Sequence, residues 1–286
     1  MSAFLLGGII RKYYMAKGNG STSSVFLFNA VGSAVSALVL FFWGGVKSIS
    51  IFTLVMGVLF GVVVAVQAIT NLKALELGPM SYTQTIISCS TLISALSGAM
   101  FFGEKLAWAH VLGMALMLVS FALAVDSKGE QKKATFRWLL FCLASFLTSG
   151  AIGIMQKTHQ SSEYKGEINE FLVISFIISF IFSIAVVIFA KKNDGKTEKT
   201  SSGKKMLLLL IAFMVLNGVC VAVNHKLNLY LSGVMDSAVF FPIVNGGGLV
   251  TTTLAAVVIF REKLSLKQWI GVVVGIASVI FLCNPF

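Results

Sequence analysis

The sequence is a succession of apolar stretches, most of them about 18 residues or longer, and each is bounded by charged or glycine-rich breaks. A helix of this length crosses the roughly 30 Å of hydrocarbon in a bilayer. With 57% hydrophobic and 12% charged residues, the chain is far more apolar than a soluble domain. We therefore predict an integral membrane protein with nine full spans: Ser24–Trp43, Ile51–Ala74, Ser81–Phe102, Trp108–Val125, Trp138–Met155, Phe171–Ala190, Met206–Val223, Ser237–Phe260 and Trp269–Leu282.

A tenth apolar stretch near the N-terminus is only about half as long. "SAFLLGGII", Ser2–Ile10, is followed by Arg11 and Lys12 and is too short to span the bilayer alone as a helix. It lacks the basic segment and the small-residue cleavage site of a secretory signal peptide, which disfavours that alternative. We expect an all-α, polytopic transmembrane helix bundle of nine full spans plus a clipped first helix.

The two halves of the chain repeat the same phrases in the same order. "VAVQAITNL" at 64–72 returns as "VAVNHKLNL" 157 positions later, and "FGEKLAWAHVLGMALMLVS" at 102–120 returns as "FREKLSLKQWIGVVVGIAS" 158 positions later. A third pair, "FLLGGII" at 4–10 and "FLTSGAI" at 146–152, lies 142 positions apart. Each half holds five helices. Because a chain that crosses the membrane an odd number of times ends on the other side, the second half enters the membrane from the opposite face. We predict inverted repeats at 1–125 and 138–286, joined by a loop at 126–137.

These phrases resemble a known family, the EamA-like ten-helix members of the drug/metabolite transporter (DMT) superfamily. The resemblance is specific in "NLKALELGPMSYTQTIISCSTLISALSGAMFFGEKL" and in "FFPIVNGGGLVTTTLAAVVIFREKLSLKQWIGVVVGIASVIFL", and it covers essentially the whole chain. It implies secondary transport of a small metabolite or drug. The family's relatives carry amino acids, sugars, sugar phosphates, nucleotide sugars and cations, so the resemblance leaves the substrate open.

The formal net charge of +11 reflects membrane topology. Of the 22 Lys and Arg residues, 17 fall at alternate breaks between the spans and five at the others. The positive-inside rule places the richer set in the cytoplasm and the C-terminus outside, whereas the family resemblance implies that both termini are cytoplasmic. We expect a multi-pass protein of the cell membrane, plasma or inner, and no nucleic-acid partner.

Paired amides recur at equivalent positions of the two repeats. Gln67 and Asn71 lie four residues apart, as do Asn224 and Asn228, so each pair shares one helix face. Amides in a bilayer must be satisfied, so they are expected to face the bundle interior. For Gln67 and Asn224, a bond to a neighbouring helix and a bond to a solute are equally good interpretations. For Asn71 and Asn228, a helix-end contact is favoured.

The helices that follow these pairs carry further candidates. Gln84 and Ser88 lie one turn apart in a hydroxyl-rich segment whose other hydroxyls are expected to be structural. In the second repeat, Pro242 and the glycines at 246–248 predict an interrupted helix, with Asn245 placed to bond a solute; a glycine-mediated helix contact is the alternative. Gln156 ends a helix beside Lys157, near which the family resemblance places a lysine that meets substrate. The predicted substrate-binding set is Gln67, Asn71, Gln84, Ser88, Gln156, Asn224 and Asn245.

The charged residues point away from several other functions. No carboxylate lies at the centre of a predicted span, which disfavours the buried-acid mechanism of small multidrug pumps. Glu104 and Glu262 are expected to set turn geometry and to pair with Lys105 and Lys263. His225 and Lys226 are expected near a helix end, either snorkelling to the interface or forming an anion-attracting rim.

No phosphate loop, zinc spacing or nucleophile constellation is visible in the sequence. We therefore expect no catalytic residue, metal or cofactor, and no enzyme. The hypothesis is a carrier of a small neutral or zwitterionic polar metabolite; the alternatives are a sugar, cation or drug carrier, or a non-transporting scaffold. Expected partners are the small-molecule substrate, the lipid bilayer and, as an open alternative, a second copy in a homodimer.

Overall fold

Helices are the regular elements of the described part of the chain. The computed structural model describes residues 22–77, 83, 86–124, 135–193, 204–260 and 265–283. Its helices are α1 (Thr22–Gly44), α2 (Ile51–Leu77), α3 (Thr91–Phe101), α4 (Trp108–Ala124), α5 (Phe136–Gln160), α6 (Ile168–Asn193), α7 (Lys204–Val234), α8 (Ser237–Phe260) and α9 (Leu266–Cys283). The half-length first span, Gln84 and residues 126–134 of the predicted loop lie outside the described residues.

These helices follow the nine predicted spans in order, which confirms a polytopic helical bundle. Five segments are long and apolar enough to cross a membrane: Phe26–Gly44, Ile51–Asn71, Phe136–Gln160, Ile168–Phe189 and Leu208–Val234. Three further apolar helices, Ile86–Phe101, Trp108–Leu123 and Leu266–Leu282, are 10–17 residues long. The protein is an integral membrane protein.

The distribution of side chains is the reverse of that in a soluble domain. Large apolar side chains such as Phe42 and Ile51 are more than 80% exposed. Small hydroxyl side chains such as Ser36, Ser145 and Ser278 are fully buried. Lipid solvates the apolar exterior, while small residues let helices approach closely and hydrogen-bond to one another.

Helices α4 and α9, which are equivalent in the two repeats, are joined by two reciprocal hydrogen bonds. Ser120 Oγ donates to Gly271 O at 2.7 Å, and Ser278 Oγ donates to Gly113 O at 2.7 Å. Ser120 and Ser278 lie 158 positions apart, as do Gly113 and Gly271. The contact is therefore two-fold symmetric, and the helices run antiparallel because the lower number on α4 meets the higher number on α9.

The other equivalent helices also pack as antiparallel pairs. On α3 and α8, Thr91 meets Asn245 whereas Gly98 lies against Ser237. On α1 and α6, Ser33 hydrogen-bonds Ser179 at 3.2 Å. Further along the same pair, Gly44 lies against Asn169, so the numbers again run in opposite directions. Equivalent helices that run antiparallel are the arrangement that inverted repeats produce.

The chain divides into two helical units, and each draws helices from both repeats. Unit one contains residues 66–165 and 229–286, and unit two contains residues 2–65 and 166–228. In the described part, unit one holds α3, α4, α5, α8 and α9 with the ends of α2 and α7. Unit two holds α1, α6 and the first parts of α2 and α7.

The predicted interruption of the helix at Pro242 is wrong. Helix α8 is continuous from Ser237 to Phe260 with Pro242 inside it. Pro242 is the sixth residue, so its missing N–H leaves only the first-turn carbonyl of Ala238 without an intrahelical donor. Gly246 packs against the Met117 side chain, as in the alternative of a glycine-mediated contact.

A local break occurs instead in the equivalent helix of the first repeat, where Ser81–Phe102 was predicted as one span. Residues 86–88 are helical, Cys89 and Ser90 form a turn, and α3 begins at Thr91. The backbone tightens there, because the N–H groups of Leu92 and Ile93 donate to carbonyls three residues earlier.

Candidate functional site

A polar face of α2 meets a polar face of α5 within unit one. Gln67 Nε2 donates a hydrogen bond of 3.3 Å to Ser149 Oγ. About three turns away on α5, the buried side chain of Trp138 packs with Ala74 of α2 and with Cys142. Gln67 contacts the later residue of α5 and Ala74 the earlier ones, so α2 and α5 run antiparallel.

One turn from this hydrogen bond, both helices carry a buried polar oxygen without a partner. Asn71 lies four residues after Gln67, and Ser145 lies four residues before Ser149, so both share the face that forms the contact. Asn71 Oδ1 and Ser145 Oγ are buried and make no hydrogen bond with the described residues. The sequence predicted the two amides but gave no reason to select Ser145 and Ser149 among many serines.

Asn245 projects from α8 toward the start of α3. Its Nδ2 donates to Thr91 Oγ1 at 3.0 Å, and Thr91 is buried while Asn245 itself is exposed. The predicted residue Ser88 is half-buried one turn before Thr91, and Gln156 on α5 is buried. The structure thus places Gln67, Asn71, Ser88, Gln156 and Asn245 in unit one, without bringing all five side chains into mutual contact.

Unit one also contains a buried ion pair that the sequence did not predict. Lys157 Nζ lies 2.5 Å from Glu104 Oε1, and the two side chains are 9% and 10% exposed. Lys157 Nζ also donates to Met235 O at 2.9 Å. The expected pairing of Glu104 with Lys105 is wrong, because the carboxylate turns inward toward Lys157 and Lys105 is exposed.

The same carboxylate caps the N-terminus of α8. Glu104 Oε2 accepts a 2.7 Å hydrogen bond from Ser237 N, and Oε1 accepts one of 3.3 Å from Ser237 Oγ. The free N–H groups of a helix N-terminus favour a negative charge. Lys157, the α3–α4 turn and the start of α8 are therefore held by one carboxylate, and the positive charge of Lys157 is neutralised.

The corresponding amides of the second repeat lie in unit two. Asn224 and Asn228 are half-buried on α7. His225 and Lys226 were predicted near a helix end, which is wrong because α7 continues to Val234. His225 meets the Phe176 ring edge-on, and Lys226 Nζ lies 4.3 Å from the centre of the Trp43 ring, a cation–π contact.

The described residues offer no obvious metal or nucleophile site. They contain no group of three or more His, Cys, Asp or Glu side chains close enough to hold a metal ion. Cys89, Cys142 and Cys220 are free, and the last two are buried, as expected of small core residues. The buried polar side chains of the described residues are mostly hydroxyls, together with amides, the Lys157–Glu104 ion pair, His110, His159 and Glu170.

Comparison with known proteins gives a family and a fold. The model of the EamA-like transporter family matches residues 136–284, slightly more than half of the chain. No curated protein matches the sequence. Twenty-eight chains of solved structures match, including one described only as the crystal structure of a protein, with a TM-score of 0.70 and 16% sequence identity. That match covers 98% of this chain and 96% of the other, and at such low identity it shows a shared fold alone.

Proposed function

Because the chain belongs to the EamA-like transporter family and is a membrane transporter of the drug/metabolite type, we propose that it is a secondary carrier for a small polar metabolite that is neutral or zwitterionic. It works by alternating access between its inverted repeats and resides in the plasma or inner membrane of the cell.

The reciprocal contact of α4 and α9 is the observation that supports alternating access most strongly. Its two hydrogen bonds relate Ser120 to Ser278 and Gly113 to Gly271. Inverted repeats allow the inward-open and outward-open states to be built from two interchangeable conformations of the same helices. A protein with this symmetry has the means to expose one site to each side of the membrane in turn.

The polar groups of the described helices support the proposed substrate class. The candidate side chains Gln67, Asn71 and Asn245 are amides, and their near neighbours are hydroxyls. The one buried cation in the candidate region, Lys157, already has Glu104 as its counter-ion. A solute with a large net charge would have no opposite charge to meet in this set, and an unpaired charge in a low-dielectric site is costly.

Two alternatives remain distinct from this proposal. A sugar carrier would use the same amides and hydroxyls, whereas a cation or drug carrier would need a carboxylate or aromatic site. A non-transporting scaffold would use Gln67, Asn224 and Asn245 for assembly and would bind no solute. Substrate-binding roles are proposed for Gln67, Asn71, Gln84, Ser88, Gln156, Asn224 and Asn245, with the lipid bilayer and the solute as partners.

The test is the thermal stability of the purified full chain in detergent against amino acids, sugars, nucleosides and polyamines. A solute at about 100 times its dissociation constant adds roughly 2.7 kcal/mol to the free energy of unfolding. We expect stabilisation by one class of neutral or zwitterionic solute, and its loss in Gln67→Ala/Asn224→Ala. Thr148→Val is the matched control, because the Thr148 hydroxyl bonds Ala144 O within its own helix. Stabilisation by polyamines alone, or by nothing, would contradict the proposal.

A further inference from the structure

The contact of α2 with α5 is a polar ladder with one complete and one incomplete rung. In the complete rung, Gln67 Nε2 donates to Ser149 Oγ. From this hydrogen bond and the antiparallel direction, helix spacing places Asn71 and Ser145 at the next position along both helices, one turn away. The ladder then ends in apolar packing, where Ala74 lies with Trp138 and Cys142. We call Asn71 and Ser145 the open rung.

The side-chain oxygens of both residues of the open rung are buried yet lack hydrogen bonds. Ser145 is 0% exposed, and its Oγ has no partner among the described residues. Asn71 Oδ1 is buried as well, and it too has no partner there. A buried oxygen without a hydrogen bond is unfavourable, and native proteins leave few of them unless they serve a function.

Two half-buried hydroxyls on the same helix do make hydrogen bonds. Thr148, three residues from Ser145, donates to Ala144 O at 2.8 Å and to Ser145 O at 3.1 Å. Ser149 accepts from Gln67. The hydroxyl of Ser145 makes neither kind of bond, although both a carbonyl of its own helix and an amide of the facing helix are available to its neighbours.

The two oxygens without hydrogen bonds, Asn71 Oδ1 and Ser145 Oγ, determine which chemical group could hydrogen-bond to both of them. Asn71 Oδ1 can only accept a hydrogen bond, whereas Ser145 Oγ can both donate and accept. A hydroxyl satisfies both atoms, because it donates to Asn71 Oδ1 and accepts from Ser145. An ammonium group would bring a charge to a rung made only of an amide and a hydroxyl, with no carboxylate to balance it.

We propose that Asn71 and Ser145 form a subsite for a hydroxyl group of the transported solute. This inference rests on the proposed carrier function and narrows its substrate class to hydroxyl-bearing solutes. Solute binding completes the rung, so α2 and α5 gain a bridge in the loaded state that they lack when the site is empty.

The two repeats differ at this subsite, which supports a role beyond shared architecture. Asn71 has an amide counterpart, Asn228, 157 positions later. The 142-position offset between "FLLGGII" and "FLTSGAI" assigns Ala3 to Ser145 and Gly7 to Ser149, so neither hydroxyl has a counterpart. The subsite joins Asn71 of the first repeat to Ser145 of the second, and the equivalent position lacks the serine hydroxyls, so a solute hydroxyl has one such subsite, which orients the solute.

The first test measures the purified full chain without any added solute. Replacing the open atoms by apolar groups, in Ser145→Ala and Asn71→Leu, should leave the unfolding midpoint unchanged or raise it, because no hydrogen bond is lost. A fall of about 2 to 4 °C in either variant, the size expected when a structural hydrogen bond is removed, overturns the proposal. Thr148→Val, which does lose a hydrogen bond within its helix, calibrates that fall.

The second test asks whether small hydroxyl compounds reach the subsite. Ser145→Cys is introduced after Cys89, Cys142, Cys220 and Cys283 are replaced by alanine, and the full chain in detergent is treated with hydroxyethyl or trimethylammonium-ethyl methanethiosulfonate. We expect the hydroxyethyl reagent to modify Cys at least about tenfold faster than the cationic one, because the cation must be desolvated without a counter-charge. Equal rates, or no modification by the hydroxyethyl reagent before unfolding, overturn the proposal.

The subsite and the carrier function fail in different ways. If a solute stabilises the protein equally in wild type, Ser145→Ala and Asn71→Leu, the carrier stands and the subsite is wrong. If the hydroxyethyl reagent labels Ser145→Cys selectively but no solute class stabilises the protein, the open rung still accepts a hydroxyl compound, but the proposed carrier function, and with it the assignment to a transported solute, is wrong.

Discussion

At the scale of single residues, position in sequence is a poor guide to which charges meet. Glu104 is followed directly by Lys105, but its carboxylate lies against Lys157 and caps the first turn of α8. A pairing between residues so far apart in sequence depends on the packing of α3, α5 and α8, which no local pattern reveals. The amides at 67 and 71 were predictable because an amide is rare in an apolar span, whereas Ser145 was not, because serine is common there.

The ion pair gives a prediction at this scale. Lys157→Met removes the counter-ion and leaves the carboxylate of Glu104 buried, so we expect a loss of about 3 to 5 kcal/mol in the free energy of unfolding. Thermal or denaturant unfolding in detergent measures this loss. The double variant Lys157→Met/Glu104→Gln should recover much of it, because the charge is gone and an amide oxygen still accepts from Ser237 N.

Lys105→Met is the matched control, since Lys105 is exposed. We expect it to change the unfolding midpoint little. If Lys105→Met destabilised the protein as much as Lys157→Met, the structural account of this pair would be wrong. It would also be wrong if the double variant lost as much free energy of unfolding as the sum of the losses from Lys157→Met and Glu104→Gln.

At the scale of helices, close approach depends on glycine at equivalent places in the two repeats. Gly61 on α2 and Gly218 on α7 lie 157 positions apart. A Cβ on Gly61 would lie 2.8 Å from Ser175 O, and one on Gly218 would lie 2.7 Å from Gly32 O. Ser175 and Gly32 lie on the paired helices α6 and α1, so unit two contains two similar close approaches of a glycine to a backbone carbonyl.

Adding a methyl group at either glycine should push backbones apart. We expect Gly61→Ala and Gly218→Ala each to cost about 1 to 3 kcal/mol of stability, with similar size because the two close approaches are similar. Unfolding in detergent measures both. Gly166→Ala is the control, because a Cβ there meets nothing within 4 Å and its backbone is not in the left-handed region. A tolerated Gly61→Ala would argue against this packing.

Helix boundaries show where sequence reasoning succeeds and where it does not. The apolar core of each span was predictable, because only helices of sufficient length satisfy the backbone in lipid. The end of α7 was not, because "NHKLNLYLSG" resembles an interfacial segment by composition yet remains helical to Val234. The continuity of α8 across Pro242 was not predictable either. The loss of one backbone hydrogen bond at this proline does not end the helix.

At the scale of the whole molecule, the repeated phrases predicted inverted repeats, and the described part of the structure contains three antiparallel pairs of equivalent helices. They are α1 with α6, α3 with α8, and α4 with α9. The identity of the substrate could not be predicted from the sequence, because it depends on which polar atoms of separate helices lie close together in the folded protein.

Counterflow in proteoliposomes tests the central claim, alternating-access transport of a small hydroxyl-bearing solute, most directly. Vesicles containing the full chain are preloaded with unlabelled solute from the class that stabilises the protein, and uptake of external tracer is followed. The account predicts saturable uptake that is faster in preloaded than in empty vesicles, and a rise of about tenfold in the half-saturating concentration for Ser145→Ala. Equal uptake by preloaded and empty vesicles, or no uptake of any solute class, would contradict it.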